Sequence, residues 1–267
     1  MTGIVSTGTE PWSCTLPSIG TVLVSSDGSS SVALAERVDA AAEQMLREQV
    51  AGPLSWWRRG YWLLNGAVVV SPGGQAVLMC GQPDLTERLV VALSQRGWTC
   101  VGDSLVPASM DEGALVAHPR SGTVICSSTL SAAESLEAVA HPRPGGNAVT
   151  IRIPMHEVPV ALAATALFPL APMPLESAGL ARARSARAML VEVSRGERTP
   201  QQLLDVVSCL AALPQWVTSD PAQEELAEGL ANDHAASGSS EDRAAGIRAR
   251  ISVALDDLTG WLDDLPA

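Results

Sequence analysis

The chain is 267 residues long and 46% hydrophobic, with 29 acidic against 17 basic residues, a net charge of −12. That length allows one large α/β domain, or one domain with a small appendage, around a substantial apolar core. The charge argues against the basic patch that nucleic acid requires and against the polybasic signal of an anionic membrane surface.

In chain order, residues 1–17 are polar and irregular. Residues 19–24 read as a strand, and 25–30 as a turn rich in Ser and Gly. Residues 32–50 place Leu34, Val38, Ala41, Ala42 and Met45 on one helical face, and Pro53 stops that helix. The next stretch concentrates Trp56, Trp57, Tyr61 and Trp62 beside Arg58 and Arg59. Such a cluster reads as core with a solvated Arg face, or as a partner-binding patch on Trp56 and Trp57.

Residues 65–107 carry the pattern strand, turn, strand, loop, helix, strand. Val68, Val69 and Val70 form a short β-branched run, ended by the turn Ser71-Pro72-Gly73-Gly74. Residues 76–80 are a second apolar run, of the kind buried on both faces of a sheet. Gly81-Gln82-Pro83-Asp84 breaks it. Leu85, Leu89 and Leu93 then recur as on a helix face, and Gly97 ends that helix. Residues 98–101 are a third strand, with Gly102-Asp103-Ser104 at its carboxyl end.

Short segments follow at 115–117 and 124–127, then a helix at 132–139 and a strand at 148–153. Ala-His-Pro-Arg occurs twice, at 117–120 and 140–143. A His–Arg pair can hold an anion, but both copies sit at turn-forming prolines, and an accidental repeat is the plainer reading. Residues 158–175 are apolar enough to consider as a membrane span. Prolines at 159, 169, 172 and 174 interrupt them, so a buried loop between sheet and helix is expected. Residues 177–193 read as a helix. Thr199 caps the next one, which ends at Pro214, and 215–218 form a late strand.

The domain boundary falls at 219/220. Residues 220–267 hold 11 acidic residues and 3 Arg. Residues 232–242 read as a polar link. Leu255, Leu258, Leu262 and Leu265 then fall at helical spacing, with Trp261 between them. An acidic amphipathic helix of this kind docks in a partner's groove through Leu258, Trp261, Leu262 and Leu265, or folds back on its own domain.

A strand, a glycine-started loop and a helix form the frame of a phosphate-binding loop. Residues 65–107, with Leu64-Asn65-Gly66-Ala67, Gly81, Leu89, Leu93, Arg96-Gly97-Trp98 and Asp103 through Pro107, resemble the ATP-binding core of HPr kinase/phosphorylase-related proteins, themselves similar to PEP carboxykinases. The resemblance extends over about 19–217 and implies a P-loop kinase-like α/β sheet flanked by helices, followed by the acidic helical tail. It also implies lost chemistry. The family's His falls on Asn65, its loop Lys on Thr86, its magnesium-binding hydroxyl on Glu87, and one of its two Asp on Ser104. The Lys neutralises phosphate charge and the hydroxyl holds Mg²⁺. Glu87 would instead place a negative charge beside a triphosphate. All 17 basic residues are Arg, so no Lys elsewhere in the chain replaces the missing one; a GC-rich genome is the plainer reason for that composition, and avoidance of ε-amino modification by a partner is the alternative.

The degenerate cleft is therefore expected at Asn65, Gly81, Asp84, Thr86, Glu87, Arg88, Asp103 and Ser104, with no catalytic residue, cofactor or metal. The expected function is a catalytically inactive scaffold, adaptor or regulatory subunit. Its partner is another protein: an enzyme, a biosynthetic complex or a second copy of the chain. The alternative is an enzyme or small-molecule sensor with altered cleft chemistry. There Asp103 would act as base, Arg88 would reach a phosphate, and Asp84 and Glu87 would recruit a metal. Five dispersed cysteines with no C-x-x-C pair, and a start that lacks a charged-then-apolar leader, lead to the expectation of reduced thiols in the cytoplasm.

Overall fold

The structure is a computed structural model that describes residues 11–16, 19–35, 43, 46–81, 83–120, 123–127, 138–143, 146–168, 178–191, 193, 198–217 and 240–264. Strands β1 (Trp12–Leu16), β2 (Gly20–Val24) and β3 (Ser30–Leu34) form a small antiparallel sheet. β1 and β3 depart from the sequence reading, which made 1–17 irregular and began a helix at 32. A helix-like spacing of Leu34 with later residues hides a hairpin in which Val22 sits opposite Val32. A π-turn at Arg47–Ala51 leads into helix α1 (Gly52–Arg58), where Pro53 occupies the first turn. Ala51 and Gly52 are themselves helical, and the Gly52 N–H donates to the Arg47 carbonyl, so the backbone stays helical from the π-turn through Pro53. Pro53 therefore lies within a helical stretch rather than ending one.

The main sheet contains β4 (Trp62–Asn65), β5 (Ala67–Val70), β6 (Ala76–Gly81), β7 (Thr99–Gly102), β8 (Leu105–Asp111), β9 (Ala114–Ala117), β13 (Val160–Phe168), β14 (Leu190–Val191) and β15 (Gln215–Val217). Its order is β14-β4-β8-β9-β13-β6-β5-β7, with β15 also on β13. β13 runs parallel to β6 and to β15, while the remaining pairs are antiparallel. Residues 160–168 are thus a central strand where a buried loop was expected. Pro159 precedes the strand instead of interrupting it, and residues 169–175 lie outside the described residues. A further sheet of β10 (Thr123–Ser127), β11 (Ala138–Arg143) and β12 (Gly146–Arg152) has the order β10-β12-β11. β11 covers the end of the helix expected at 132–139; residues 132–137 lie outside the described residues.

The sheet has two covered faces, and the period of two in β5 and β6 decides which side chain goes where. Val68, Val70, Ala76 and Leu78 enter one core with Trp57, Leu63, Val206, Leu210 and the β1–β3 residues Trp12, Val22 and Val24. Ala67, Val69, Val77 and Met79 enter the other. Helix α2 (Pro83–Ser94) covers that second face with Leu85, Leu89, Val90 and Leu93. On the first face lie α3 (Ala178–Ala188) and α4 (Pro200–Ala212). Thr199 caps α4: its hydroxyl accepts from the Gln202 N–H, and the Gln202 side chain accepts from the Thr199 N–H.

Helix α5 (Ser240–Asp263) is the tail. It begins at Ser240, inside the stretch 232–242 read as a polar link, and its Ile251, Leu255, Leu258 and Leu262 are buried in the second core. The last three are at most 1% exposed. Complete burial of one such side chain contributes about 1.5–3 kcal/mol, enough to hold a helix that would be marginal alone. Gln75 donates to the Leu262 carbonyl, and Arg96 reaches Asp256 at 2.8 Å and the Ser252 hydroxyl at 2.9 Å. The tail therefore packs on the α2 side of its own sheet. Among the described residues, no helix is long and apolar enough to cross a membrane.

Candidate functional site

β6 runs through Gly81 and α2 opens at Pro83, so a single residue separates strand from helix. The sequence reading had Gly81-Gln82-Pro83-Asp84 as a break and the helix only from Leu85. A phosphate loop needs several consecutive backbone N–H groups in unusual conformations, and between the end of β6 and the start of α2 only position 82 is available for one. Gly81 has a different reason to be glycine. A Cβ there would lie 2.9 Å from both the Cβ and the carbonyl oxygen of Phe168, its partner in the parallel pairing. Close strand packing explains it without any anion.

Beside this junction, the β4–β5 step and the β7–β8 turn come together. Gly66 joins β4 to β5 with φ +147°, and an added Cβ would overlap the Met79 carbonyl oxygen. Only glycine fits. Its N–H donates to the Ser104 carbonyl at 2.9 Å. Ser104 itself has φ +61°, and the Leu105 N–H donates across it to the Asp103 carbonyl at 2.7 Å. That three-residue turn is strained for a residue with a Cβ. Arg120 braces it from behind, donating to the Leu105 carbonyl at 2.6 Å and to that of Asp103 at 3.4 Å.

These pieces enclose a cavity of about 140 Å³ lined by Asn65, Gly66, Ala67, Gly81, Thr86, Glu87, Val90, Asp103, Ser104 and Leu105. Six of the eight expected cleft residues meet there: Asn65, Gly81, Thr86, Glu87, Asp103 and Ser104. Arg88 is buried but does not line the cavity, so it does not serve there as a phosphate ligand. The Asp84 side chain lies outside what is described. Among the described residues, no cluster of three or more His, Cys, Asp or Glu could hold a metal ion. The expected set lacked Gly66, Ala67, Val90 and Leu105 as walls, and Arg120 as the brace. Arg120 belongs to the first Ala-His-Pro-Arg, whose His118 goes elsewhere, bonding the Ser109 hydroxyl at 2.8 Å. The two side chains hold two different strand connections, not one anion. The second copy lies on β11, whose side chains are outside what is described.

Two cysteines flank the site. The Cys80 thiol donates to the Asn65 carbonyl at 3.2 Å. Burial pushes the Cys80 thiol up to about 12, and burial together with the nearby Asp103 charge does the same to Cys100. Both stay protonated at neutral pH and are poor nucleophiles.

The side chains expected to bind a partner are placed differently. Trp57 is 1% exposed, stacked edge-on to Trp62 and covered by the Arg198 guanidinium at 4.8 Å. Trp56 is half-buried against Tyr61. Arg58 lies over the Trp12 ring at 4.6 Å instead of forming a solvated face. Leu258 and Leu262 are core residues, and Trp261 packs partly against the same core. Trp57, Leu258 and Leu262 are thus corrected from partner surface to interior, because the sheet offered a nearer apolar face. Leu265 lies outside the described residues.

No protein-family model matches the chain, and no curated protein matches it at a significant level.

Proposed function

We propose that the chain is a degenerate, non-catalytic relative of the HPr-kinase-like P-loop proteins, acting as a scaffold, adaptor or regulatory subunit for another protein. The observation that carries this reading is the strand–helix junction at Gly81–Pro83. It leaves one residue between strand and helix where a phosphate loop needs several, and Glu87 lines the small cavity beside it. Pockets for drug-sized ligands span roughly 300–1,000 Å³, against about 140 Å³ here. A nucleoside triphosphate would have to displace protein and approach a carboxylate. The absence of Lys from the whole chain supports the same conclusion.

A second reading has one observation in its favour. Ser104 holds a strained backbone at the cavity mouth beside Asp103, and strain of this kind concentrates at functional sites. An altered enzyme or a sensor for a small ligand would use it. The cavity is close to the roughly 150 Å³ that accommodates one benzene, so that ligand would have few heavy atoms. Titration with ATP, ADP and GTP, with and without Mg²⁺, separates the readings from phosphotransfer. The scaffold reading predicts no saturable heat, whereas micromolar Mg²⁺-dependent binding overturns it.

A further inference from the structure

The outward face of α5 carries two features that its own fold does not explain. Gly260 sits inside the helix, and a Cβ there meets nothing within 4 Å among the described residues. Glycine weakens a helix, and among the described residues no close approach compensates. Asp263 and Asp264 occupy the last turn, where no basic residue sits. Carboxylates at a helix C-terminus oppose the helix dipole, which favours cations there. Asp256 and Asp257 lie one to two turns earlier, and all four side chains are exposed.

Both features border one groove. It has a volume of about 380 Å³ and runs between α5 and the β5–β6 turn, with Pro72, Gly73, Trp98, Thr259, Gly260 and Asp263 among its walls. The chain itself already places one cation on this face: the Arg96 guanidinium bonds Asp256 and Ser252. We propose that the groove is a docking site for an arginine- or lysine-bearing segment of a partner protein. Its backbone would pass over Gly260, and its cationic side chains would reach Asp263, Asp264 and Asp257. A cation there offsets the repulsion among the carboxylates and satisfies the helix end. The missing side chain at 260 leaves room for the approach.

The proposal names the partner chemistry for the scaffold reading and rests on it, but not on the cleft. Its failure would leave the nucleotide titration unchanged, so the two are distinguishable. The test uses the full chain and an acetylated, amidated peptide of four Arg-Ala repeats, titrated at low salt. Wild type should bind saturably, and the equivalent Glu-Ala peptide should not. Gly260→Gln fills the groove with a good helix former, and Asp263→Asn with Asp264→Asn removes the charge. Each should weaken binding about tenfold or more while the melting temperature is maintained or rises. No binding by wild type at millimolar peptide overturns the proposal. So does undiminished affinity in Gly260→Gln, because it would place the contact elsewhere.

Discussion

Two residues carry most of the local backbone specificity around the cavity. Gly66 has no alternative, because any Cβ overlaps the Met79 carbonyl. Gly66→Ala should cost about 2 kcal/mol or more in a urea unfolding series, through a clash plus backbone strain. Ser104 is the converse. Its φ of +61° suits glycine, so Ser104→Gly should be neutral or stabilise by up to about 1 kcal/mol. A large loss there would mean that the hydroxyl, not the backbone, is what the site requires. Gly260→Ala should stabilise α5 by about 1 kcal/mol. His118 gives a pH signature. Burial lowers its pKa from the ordinary 6.5, so the folded state favours the neutral ring. Its contribution is present above pH 6.5 and is lost as pH falls through its depressed value, because the unfolded chain binds the proton first. The melting temperature should therefore fall below pH 6.5, and His118→Gln should flatten that slope.

At the scale of elements, most of what was legible followed from period and punctuation. The β-branched run before Ser71, the Leu85, Leu89, Leu93 spacing, the φ +85° end at Gly97 and the Thr199 cap all lie where local chemistry puts them. What the sequence hid depended on distant partners. β13 lacks alternation because both its faces are covered, so its prolines dominated the reading. β3 looks helical because Leu34 is followed by apolar residues at helical spacing, and only pairing with β2 decides otherwise. For α5, periodicity identified the apolar face but could not say what covers it. Its packing predicts that Leu258→Ala, which opens a cavity in the second core, should cost about 2–5 kcal/mol, measured on the full chain by denaturant. A change under about 0.5 kcal/mol would mean that the helix does not pack there in solution. At the cleft, the sequence brought six residues to one cavity through the frame of the resemblance. It overestimated the loop because the strand continues through Gly81, held by the Phe168 pairing.

The whole molecule is a mixed α/β structure whose sheet carries an apolar layer on each face. α2 and the acidic tail helix cover one face, while α1, α3, α4 and the small amino-terminal sheet cover the other. At this scale the junction of β6 and α2 sits where open α/β sheets keep a ligand crevice, yet it presents a carboxylate and a small cavity in place of a cradle. The proposed absence of phosphotransfer and the proposed partner surface rest on separate regions: the cleft at Gly81 and the groove at Gly260. The most direct measurement is calorimetric titration of the full chain with ATP in the presence and absence of Mg²⁺. No saturable binding up to millimolar nucleotide is predicted, and restoring a cation by Glu87→Lys alone should not create it, because the loop backbone is missing. Micromolar, Mg²⁺-dependent ATP binding by the wild-type chain would contradict the non-catalytic reading.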